Sequence, residues 1–588
     1  QGQRQWALLA DNETAQALQH GCGDDCSRSA SLAALHCTRD RERCTERCSQ
    51  CQLHQPSTQS MRLAAALLLL CGTHALTATG PQPVVWSLAG SDSSAGAGVE
   101  ADLRAFRCLG ARGCAVVTAL TAQSTTGVEA VLETPAAHVA ATIAALEADL
   151  PPAAVKTGAL GGAGAARAVA AFLRRAPPGC KVVVDPVVVS TSGRRLLDEA
   201  GEAVLVEEIL PRADVVCPNA PEAEVLLGLA PGSVASPADA AAAATALRAR
   251  LGCGAVLLKG GHLAGPRAAD VWADAAGTLW LAADRTPGLG AGGAHGTGCV
   301  LSAALAAALA RGEAPRDAAV AAKAVCAAAV RRAAAHAADA PGAGPPPADV
   351  PETWPDDDAA ATFPSAGLDP SLQPFPRLDG PPMTLYALAA TAARCAALWD
   401  AGVVDVQLRV KDAPPAAIEA EVAAAAQEAL ARPHARLWVN DFWEAAAGRA
   451  GCFGCHLGQE DLAALAPADA ARLAASGLRL GVSTHCLAEL AVAAALAPTY
   501  VALGPVFGTT SKRVPFAPRG LDRVAAWRRL VPADTPLVAI GGVGLDTAPA
   551  VVAAGADAVA VISALGGEEG EALRARVLRW RGVWGKLV

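Results

Sequence analysis

Aromatic residues make up only 4% of this 588-residue chain and charged residues only 18%. The scarcity of aromatics, beside abundant alanine, reads as codon bias rather than as a mark of function. No block of Lys and Arg stands out. With 48 basic against 56 acidic residues the net charge is −8, which argues against a nucleic-acid partner. The apolar run in MRLAAALLLLCGTHALTA, opening at Met61, is about eight residues long, too short to cross a membrane as a mature anchor. What is present instead is apolar material, 52% of the chain, which excludes a disordered or fibrous protein and suffices for two full cores.

The 18 cysteines divide unevenly. Cys22, Cys26, Cys37, Cys44, Cys48, Cys51 and Cys71 lie in a polar leader. The triplet Cys44-x3-Cys48-x2-Cys51 has no His at finger spacing after it, so a non-domain leader is expected rather than a zinc site. The others are scattered singly, apart from Cys452 and Cys455, which reads as reduced intracellular thiols and not a disulfide frame. The Met61 segment, with one Arg, a short apolar stretch and a small-residue exit, matches a secretory-type signal. In a photosynthetic eukaryote it would be the first half of a plastid-targeting leader; otherwise a cytoplasmic location is expected.

Four segments are expected: a leader over 1–82, an α/β domain over 83–340, a linker over 341–382 and a second α/β domain over 383–588. In the first domain, apolar runs such as VVWSLA, CAVVTAL, KVVVDPVVV and AVLLKGG alternate with Ala-rich helical stretches, the pattern of parallel α/β layering. The Pro-, Gly- and Asp-rich linker predicts a semi-extended, weakly structured connection. After Met383, eight short apolar strands (TLYALA, VVDVQLRV, ARLWVN, FGCHLG, LRLGVS, TYVALG, PLVAIGG and AVAVIS), each followed by a helical stretch, give the arithmetic of a small TIM barrel.

The most informative stretch of the first domain is His295-Gly296-Thr297-Gly298-Cys299, leading into the helical VLSAALAAALA. Gly-x-Gly at a helix start presents backbone N–H groups to an anion, and a cysteine there is expected to have a lowered pKa. Alone, this is no more specific than a Gly-rich cap over a buried Cys. It gains meaning beside AGSDSSAGAG (Ala89–Gly98), the Gln123-Ser124-Thr125-Thr126-Gly127 turn, Asp185-Pro186-Val187, Pro218-Asn219-Ala220-Pro221-Glu222 and Lys259-Gly260-Gly261-His262.

These motifs, in this order over about 84 to 335, resemble the hydroxymethylpyrimidine/phosphomethylpyrimidine kinases of the ribokinase-like superfamily. The resemblance implies a three-layer α/β fold and ATP-dependent phosphorylation of a pyrimidine alcohol, then of its monophosphate. It implies that Gly90, Ala97, Asp102 and Gln123 line the pyrimidine pocket. Asp185, Asn219, Glu222, Lys259 and Lys323 would serve ATP and its Mg²⁺. Gly296, Thr297 and Gly298 would stabilise the transferred phosphoryl group while Cys299 accepts the substrate proton. Two departures stand out: Ala159 replaces a methionine usual in the pocket, and RTPGLGAGGAH lacks the customary Lys-Asn before its His.

In the second domain, alternation along VVDVQLRVKD puts Val406, Leu408 and Val410 against helices and turns Gln407, Arg409 and Lys411 into the barrel mouth. Cations in a barrel interior are costly unless an anion compensates. Asn440-Asp441 ends strand three, Gln459-Glu460-Asp461 follows strand four, and Thr509-Thr510-Ser511-Lys512 follows strand six. Such carboxylates suit a hard cation bridging to phosphate oxygens. Gly541-Gly542 and Ile562-Ser563 end the last two strands, where barrels keep a phosphate site.

The second domain resembles thiamine phosphate synthase over about 383 to 566, with QLR-x-KD, VND, H-x-GQEDL, LG-x-STH, YVA-x-GPVF, AIGG and S-A in order. The resemblance implies that diphosphate leaves first and the thiazole nitrogen captures the resulting pyrimidine-methyl cation. Arg409, Lys411, Lys512 and Mg²⁺ on Asp441 and Asp461 would neutralise the leaving group. Gln407, Asn440, Ser483, Thr509 and Ser511 would line the diphosphate and ring pocket, and Gly542, Ile562 and Ser563 the thiazole phosphate site. Departures are Ser511 for a threonine, a first strand without its usual polar end, and one extra residue between Asp441 and Asp461. His456 and His485 are expected to be structural.

Together the halves imply a bifunctional thiamine-biosynthesis enzyme using ATP and Mg²⁺, acting on small molecules, without nucleic acid or membrane in its mature form, and homo-oligomeric. Two alternatives are a half that survives only as a ligand-binding or regulatory module, and a kinase of pyridoxal-type specificity, which Ala159 would permit.

Overall fold

The computed structural model describes residues 81–585, apart from 191–192, 262, 290–292, 339–341, 368–373 and 510–516. The leader with its cysteine triplet and Met61 segment, and His262, Thr510, Ser511 and Lys512, lie outside the described residues. No helix among the described residues is long and apolar enough to cross a membrane.

The first half is a ten-stranded sheet in the order β10-β9-β8-β7-β6-β5-β4-β1-β2-β3. Its strands are β1 (Val84–Asp92), β2 (Arg112–Ser124), β3 (Gly127–Glu133), β4 (Ala154–Thr157), β5 (Lys181–Val184), β6 (Val215–Val216), β7 (Ala255–Leu258), β8 (Arg267–Asp274), β9 (Gly277–Asp284) and β10 (Ser365–Ala366). The central strands β2-β1-β4-β5-β6-β7 are parallel. That arrangement buries both faces, which is why VVV and VLL read as continuous apolar runs rather than as alternation. Helices on both faces complete the three-layer ribokinase-like architecture, with separate apolar clusters built around Val85 and Trp272 and around Trp86 and Val155.

The second half closes as an eight-stranded parallel barrel: β11 (Leu385–Ala389), β12 (Asp405–Leu408), β13 (Arg436–Asn440), β14 (Cys452–Leu457), β15 (Arg479–Thr484), β16 (Tyr500–Leu503), β17 (Leu537–Ile540) and β18 (Ala558–Val561), with β18 pairing back onto β11. Six helices matter below: α1 (Gly98–Cys108), α2 (Ala220–Leu227), α3 (Thr297–Ala310), α4 (Pro315–Ala335), α5 (Leu487–Leu496) and α6 (Gly520–Leu530).

The expected weakly structured linker is, over much of its described length, bound to the first half. Gly344 N–H donates to Thr125 Oγ1 (3.2 Å), His295 N–H to the Pro346 carbonyl (2.8 Å) and Ala348 N–H to the His295 carbonyl (2.8 Å). Farther on, β10 pairs with β9 through Ser365 and Ala282. Proline removes a donor only at its own position, so the remaining N–H and C=O groups still find partners. From the barrel side, the Arg529 guanidinium donates to the Pro355 carbonyl (3.2 Å), and one apolar cluster runs from Val300 of α3 through Trp354 to Trp527 of α6.

Candidate functional site

In the first half, two glycine-rich turns meet. Gly296, at φ +80°, caps α3, and a Cβ there would stand 1.9 Å from the Gly96 carbonyl oxygen, so only glycine fits. His295 Nε2 lies 3.1 Å from Asp92 Oδ2 and 2.9 Å from the Gln123 amide, joining the β1 turn, the β2–β3 hairpin and the α3 turn. Burial works against the Asp92 carboxylate, yet hydrogen bonds from His295, Ser94 and the Ala97 N–H hold its pKa down at about 2. Gly90 and Ala159 approach each other, and Ala97 lies against Gly296.

Below the α3 turn lies a charged cluster. Lys259 Nζ contacts Asp185 Oδ1 at 2.6 Å and Glu222 Oε2 at 3.6 Å, and Ser302 Oγ donates to Asp185 Oδ2 at 3.2 Å. A Cβ on Gly298 would stand 3.4 Å from Lys259 Nζ, which puts this ammonium directly under the loop. Asn219 caps α2 in a reciprocal box with Glu222 and so fixes that carboxylate. Burial raises the Glu222 pKa, with Lys259 opposing, while Asp185 and Glu222 raise that of Lys259 against its own burial.

Three expectations are corrected here. The Cys299 thiol is raised, not lowered: burial, joined by Asp102 and Asp185, pushes it up, although Lys156 and the Gly98 N–H pull the other way. Asp102 does not face an open pocket. It is fully buried, 2.9 Å from Lys156 Nζ through both oxygens, and accepts from Ser87 Oγ at 2.6 Å. Lys323 is enclosed in an ion pair with Asp270 (2.9 Å), whose other oxygen accepts from the Gly260 N–H (2.8 Å), so it reaches the Lys259–Gly261 turn only through Asp270. Sequence reasoning overlooked Lys156. Its signal was a lysine inside an otherwise apolar central strand, which demands a buried countercharge.

In the barrel, Val406 and Leu408 pack outward and Gln407 inward, as alternation predicts. Arg409 follows at the mouth and makes no ion pair among the described residues. Lys411 pairs with Asp441, whose φ of +65° is uncommon for a residue with a side chain. The Asp461 carboxyl is raised by burial and then by the neighbouring Asp441, so two carboxylates share one place. Asn440 is buried at the end of β13, Thr509 is half-buried, and Gly542, Ile562 and Ser563 are exposed after β17 and β18. A Cβ on Gly542 would stand 2.4 Å from the Gly508 carbonyl, which brings the loops after β16 and β17 together.

A buried polar chain crosses the barrel under this mouth. Gln407 Nε2 donates to Tyr386 Oη (3.0 Å), Tyr386 Oη lies 2.9 Å from Tyr500 Oη, and Tyr500 Oη lies 2.7 Å from His456 Nδ1. His456 Nε2 lies 2.8 Å from Ser483 Oγ. One direction uses each phenol hydrogen in turn: Tyr386 donates to Tyr500, Tyr500 to Nδ1, and Nε2–H to Ser483, which leaves the serine hydrogen free for a ligand. The first strand therefore does carry a polar group, a phenol rather than the end residue expected. Ser483 and Gln407, read as pocket residues, are the two ends of this chain.

The family model for phosphomethylpyrimidine kinase matches residues 92–345, and that for thiamine monophosphate synthase matches residues 385–565. A hydroxymethylpyrimidine/phosphomethylpyrimidine kinase of Rhizobium meliloti is 45% identical over 240 residues, 41% of this chain and 87% of that protein. A thiamine-phosphate synthase of Cronobacter sakazakii is 45% identical over 198 residues, 34% of this chain and 90% of that protein. A solved pyridoxal kinase of Staphylococcus aureus, in complex with ADP, is 32% identical and covers 43% of this chain and 89% of that one, with a TM-score of 0.39. The chain thus belongs to two families, hydroxymethylpyrimidine/phosphomethylpyrimidine kinase in its first half and thiamine-phosphate synthase in its second, and is a bifunctional transferase of thiamine biosynthesis.

Proposed function

We propose that the two sites work in series, the kinase making the pyrimidine diphosphate that the barrel consumes. In the kinase, Gln123, Gly90 and Ala97 hold the pyrimidine. The substrate hydroxyl oxygen attacks the γ-phosphorus of ATP, the bond to ADP breaks, and the hydroxyl proton passes to the Cys299 sulfur. The N–H groups of Thr297 and Gly298, with Gly296 shaping the turn, have no partner one turn earlier in α3 and face the transferring group. Asp185, Asn219, Glu222 and Lys259 form a charged floor suited to a nucleotide and Mg²⁺, and the metal would neutralise phosphate charge there. Asp102 and Lys323 act at one remove, through Lys156 and Asp270.

In the barrel, the carbon–oxygen bond to the diphosphate breaks with its electron pair, and the thiazole nitrogen then bonds to the freed methyl carbon. Arg409 and Lys411 take the leaving charge, joined by Lys512. Two adjacent carboxylates, Asp441 and Asp461, with Lys411 paired to the first, fit a divalent cation, which would add further neutralisation. Gln407, Asn440, Ser483, Thr509 and Ser511 orient the first substrate, and Gly542, Ile562 and Ser563 the thiazole phosphate.

The observation carrying this reading is the pair of carboxylates Asp441 and Asp461, which repel each other, with Lys411 bonded to the first and Arg409, without an ion pair among the described residues, following the same strand. Incubation of the whole protein with pyrimidine alcohol, ATP, Mg²⁺ and thiazole phosphate should yield thiamine phosphate. Cys299→Ala should block it unless pyrimidine diphosphate is supplied ready-made, and failure of that rescue overturns the division of labour. A homo-oligomer is supported by Leu120 and Leu132, 50% and 66% exposed and directly opposed on the β2–β3 hairpin. Leu132→Lys should then lower the mass seen by light scattering.

A further inference from the structure

Helix α5 follows β15 in the barrel, and Cys486, its N-cap, makes no side-chain capping bond. Its second amide is nevertheless satisfied. Ala488 N–H donates to Asp317 Oδ1 at 2.7 Å, and Asp317 belongs to the first turn of α4 in the kinase half. The Cys486 thiol bonds to the same carboxyl, and burial together with Asp317 pushes its pKa up to about 12. Asp317 is only 7% exposed.

The positive ends of α4 and α5 therefore converge on one carboxylate. Facing helix N-termini repel, and an intervening negative charge turns that repulsion into attraction at both. The surrounding charged groups are Glu313 and Arg523, 3.4 Å apart, Glu313 from the turn before α4 and Arg523 from α6.

This contact adjoins the synthase site. Ser483 stands three residues before the Cys486 cap. Of the residues between, Thr484 Oγ1 accepts from Trp527 Nε1 at 3.0 Å, and Trp527 borders a small cavity at the junction with Leu109, Ala308, Arg311 and Trp354. His485 N–H is bonded to Glu489 within α5 (2.6 Å). The turn after β15 is thus held at Thr484 by a barrel tryptophan at the junction, and the helix that follows it is bonded to the kinase half at Ala488.

We propose that Asp317, a kinase residue, is a positioning residue of the synthase: it sets the start of α5 and through it the place of Ser483, so the barrel's pocket is complete only with the kinase packed against it. The inference rests on the reading of Ser483 as a substrate-pocket residue.

The test uses the full chain supplied with ready-made pyrimidine diphosphate. Asp317→Ala should raise the synthase KM for the diphosphate about threefold to tenfold, with a smaller change in kcat and an unchanged KM for ATP in the kinase assay. Asp317→Asn keeps the acceptor but loses the charge, so its KM should fall between those of wild type and Asp317→Ala. If the alanine variant does not fold, the asparagine variant decides alone. A wild-type KM in the folded variants overturns the proposal, as does an equal loss in both halves. Ser483→Ala run alongside separates the two readings: a wild-type KM there overturns the pocket assignment, whereas a raised KM there with none at Asp317 overturns only the positioning role.

Discussion

Tyr386 and Tyr500, the only two tyrosines in 588 residues, place their phenol oxygens 2.9 Å apart inside the barrel, both essentially inaccessible to solvent. Each is the other's bridge: one to Gln407, the other to His456 and Ser483. Tyr500→Phe would remove the acceptor of the buried Tyr386 hydroxyl and one bond to the buried His456 ring at once. It should cost about 1–3 kcal/mol in urea unfolding and raise the synthase KM, whereas a phenylalanine at an exposed position should do neither. Unchanged unfolding and KM would mean that the chain of bonds is not formed.

Lys156 and Asp102 offer a parallel test in the kinase. Lys156→Met leaves a fully buried carboxylate without its countercharge, for which about 3–5 kcal/mol of lost stability is expected. The same change withdraws positive charge from Cys299, so the thiol should titrate at still higher pH. Reaction of Cys299 with an alkylating reagent, followed against pH, would measure that displacement.

The raised Cys299 thiol fixes the direction of the kinase's pH dependence. Its acting form as a base is the thiolate, so kcat/KM for the alcohol should climb with pH, close to tenfold per unit well below the thiol's titration point. Cys299→Asp should move that rise to lower pH, since a carboxylate ionises well below a thiol in the same surroundings. A flat wild-type profile would exclude the thiol as the base.

Asp461 makes the converse case for the metal. Its folded-state pKa lies above its unfolded value, so its protonated form favours folding at low pH, and that contribution disappears as pH rises through the folded pKa. A divalent cation should offset the resulting strain. Mg²⁺ should therefore raise Tm more at neutral than at acidic pH, and Asp461→Asn should raise Tm without Mg²⁺ and abolish the Mg²⁺ response.

Both folds were legible from local pattern. Period-two alternation placed Gln407 inside and Val406 outside because side chains on a strand have no other option. The eight barrel strands announced themselves as apolar runs of regular spacing. What escaped was relational. Tyr386 and Tyr500 are 114 positions apart, and nothing local pairs them. Asp102 and Lys323 sit where motifs place them, yet their ion pairs with Lys156 and Asp270 decide whether they meet a ligand or hold another residue. The lowered pKa expected for Cys299 considered the helix end alone and omitted the burial that the fold imposes.

The stretch that ties Gly344, Pro346 and Ala348 to Thr125 and His295 also bears on how this polypeptide can be divided. A cut at residue 340 would strip the loop preceding Cys299 of its neighbouring strand-like partner, and a cut before 365 would also bare the outer edge of β9. A free-standing kinase made by truncation should stay well behaved only when the chain continues past Ala366. The apparent tether is thus shared masonry: its first part is laid into the kinase, while Pro376, Asp379 and Pro381 accept bonds from Thr499, Arg436 and Arg479 of the barrel.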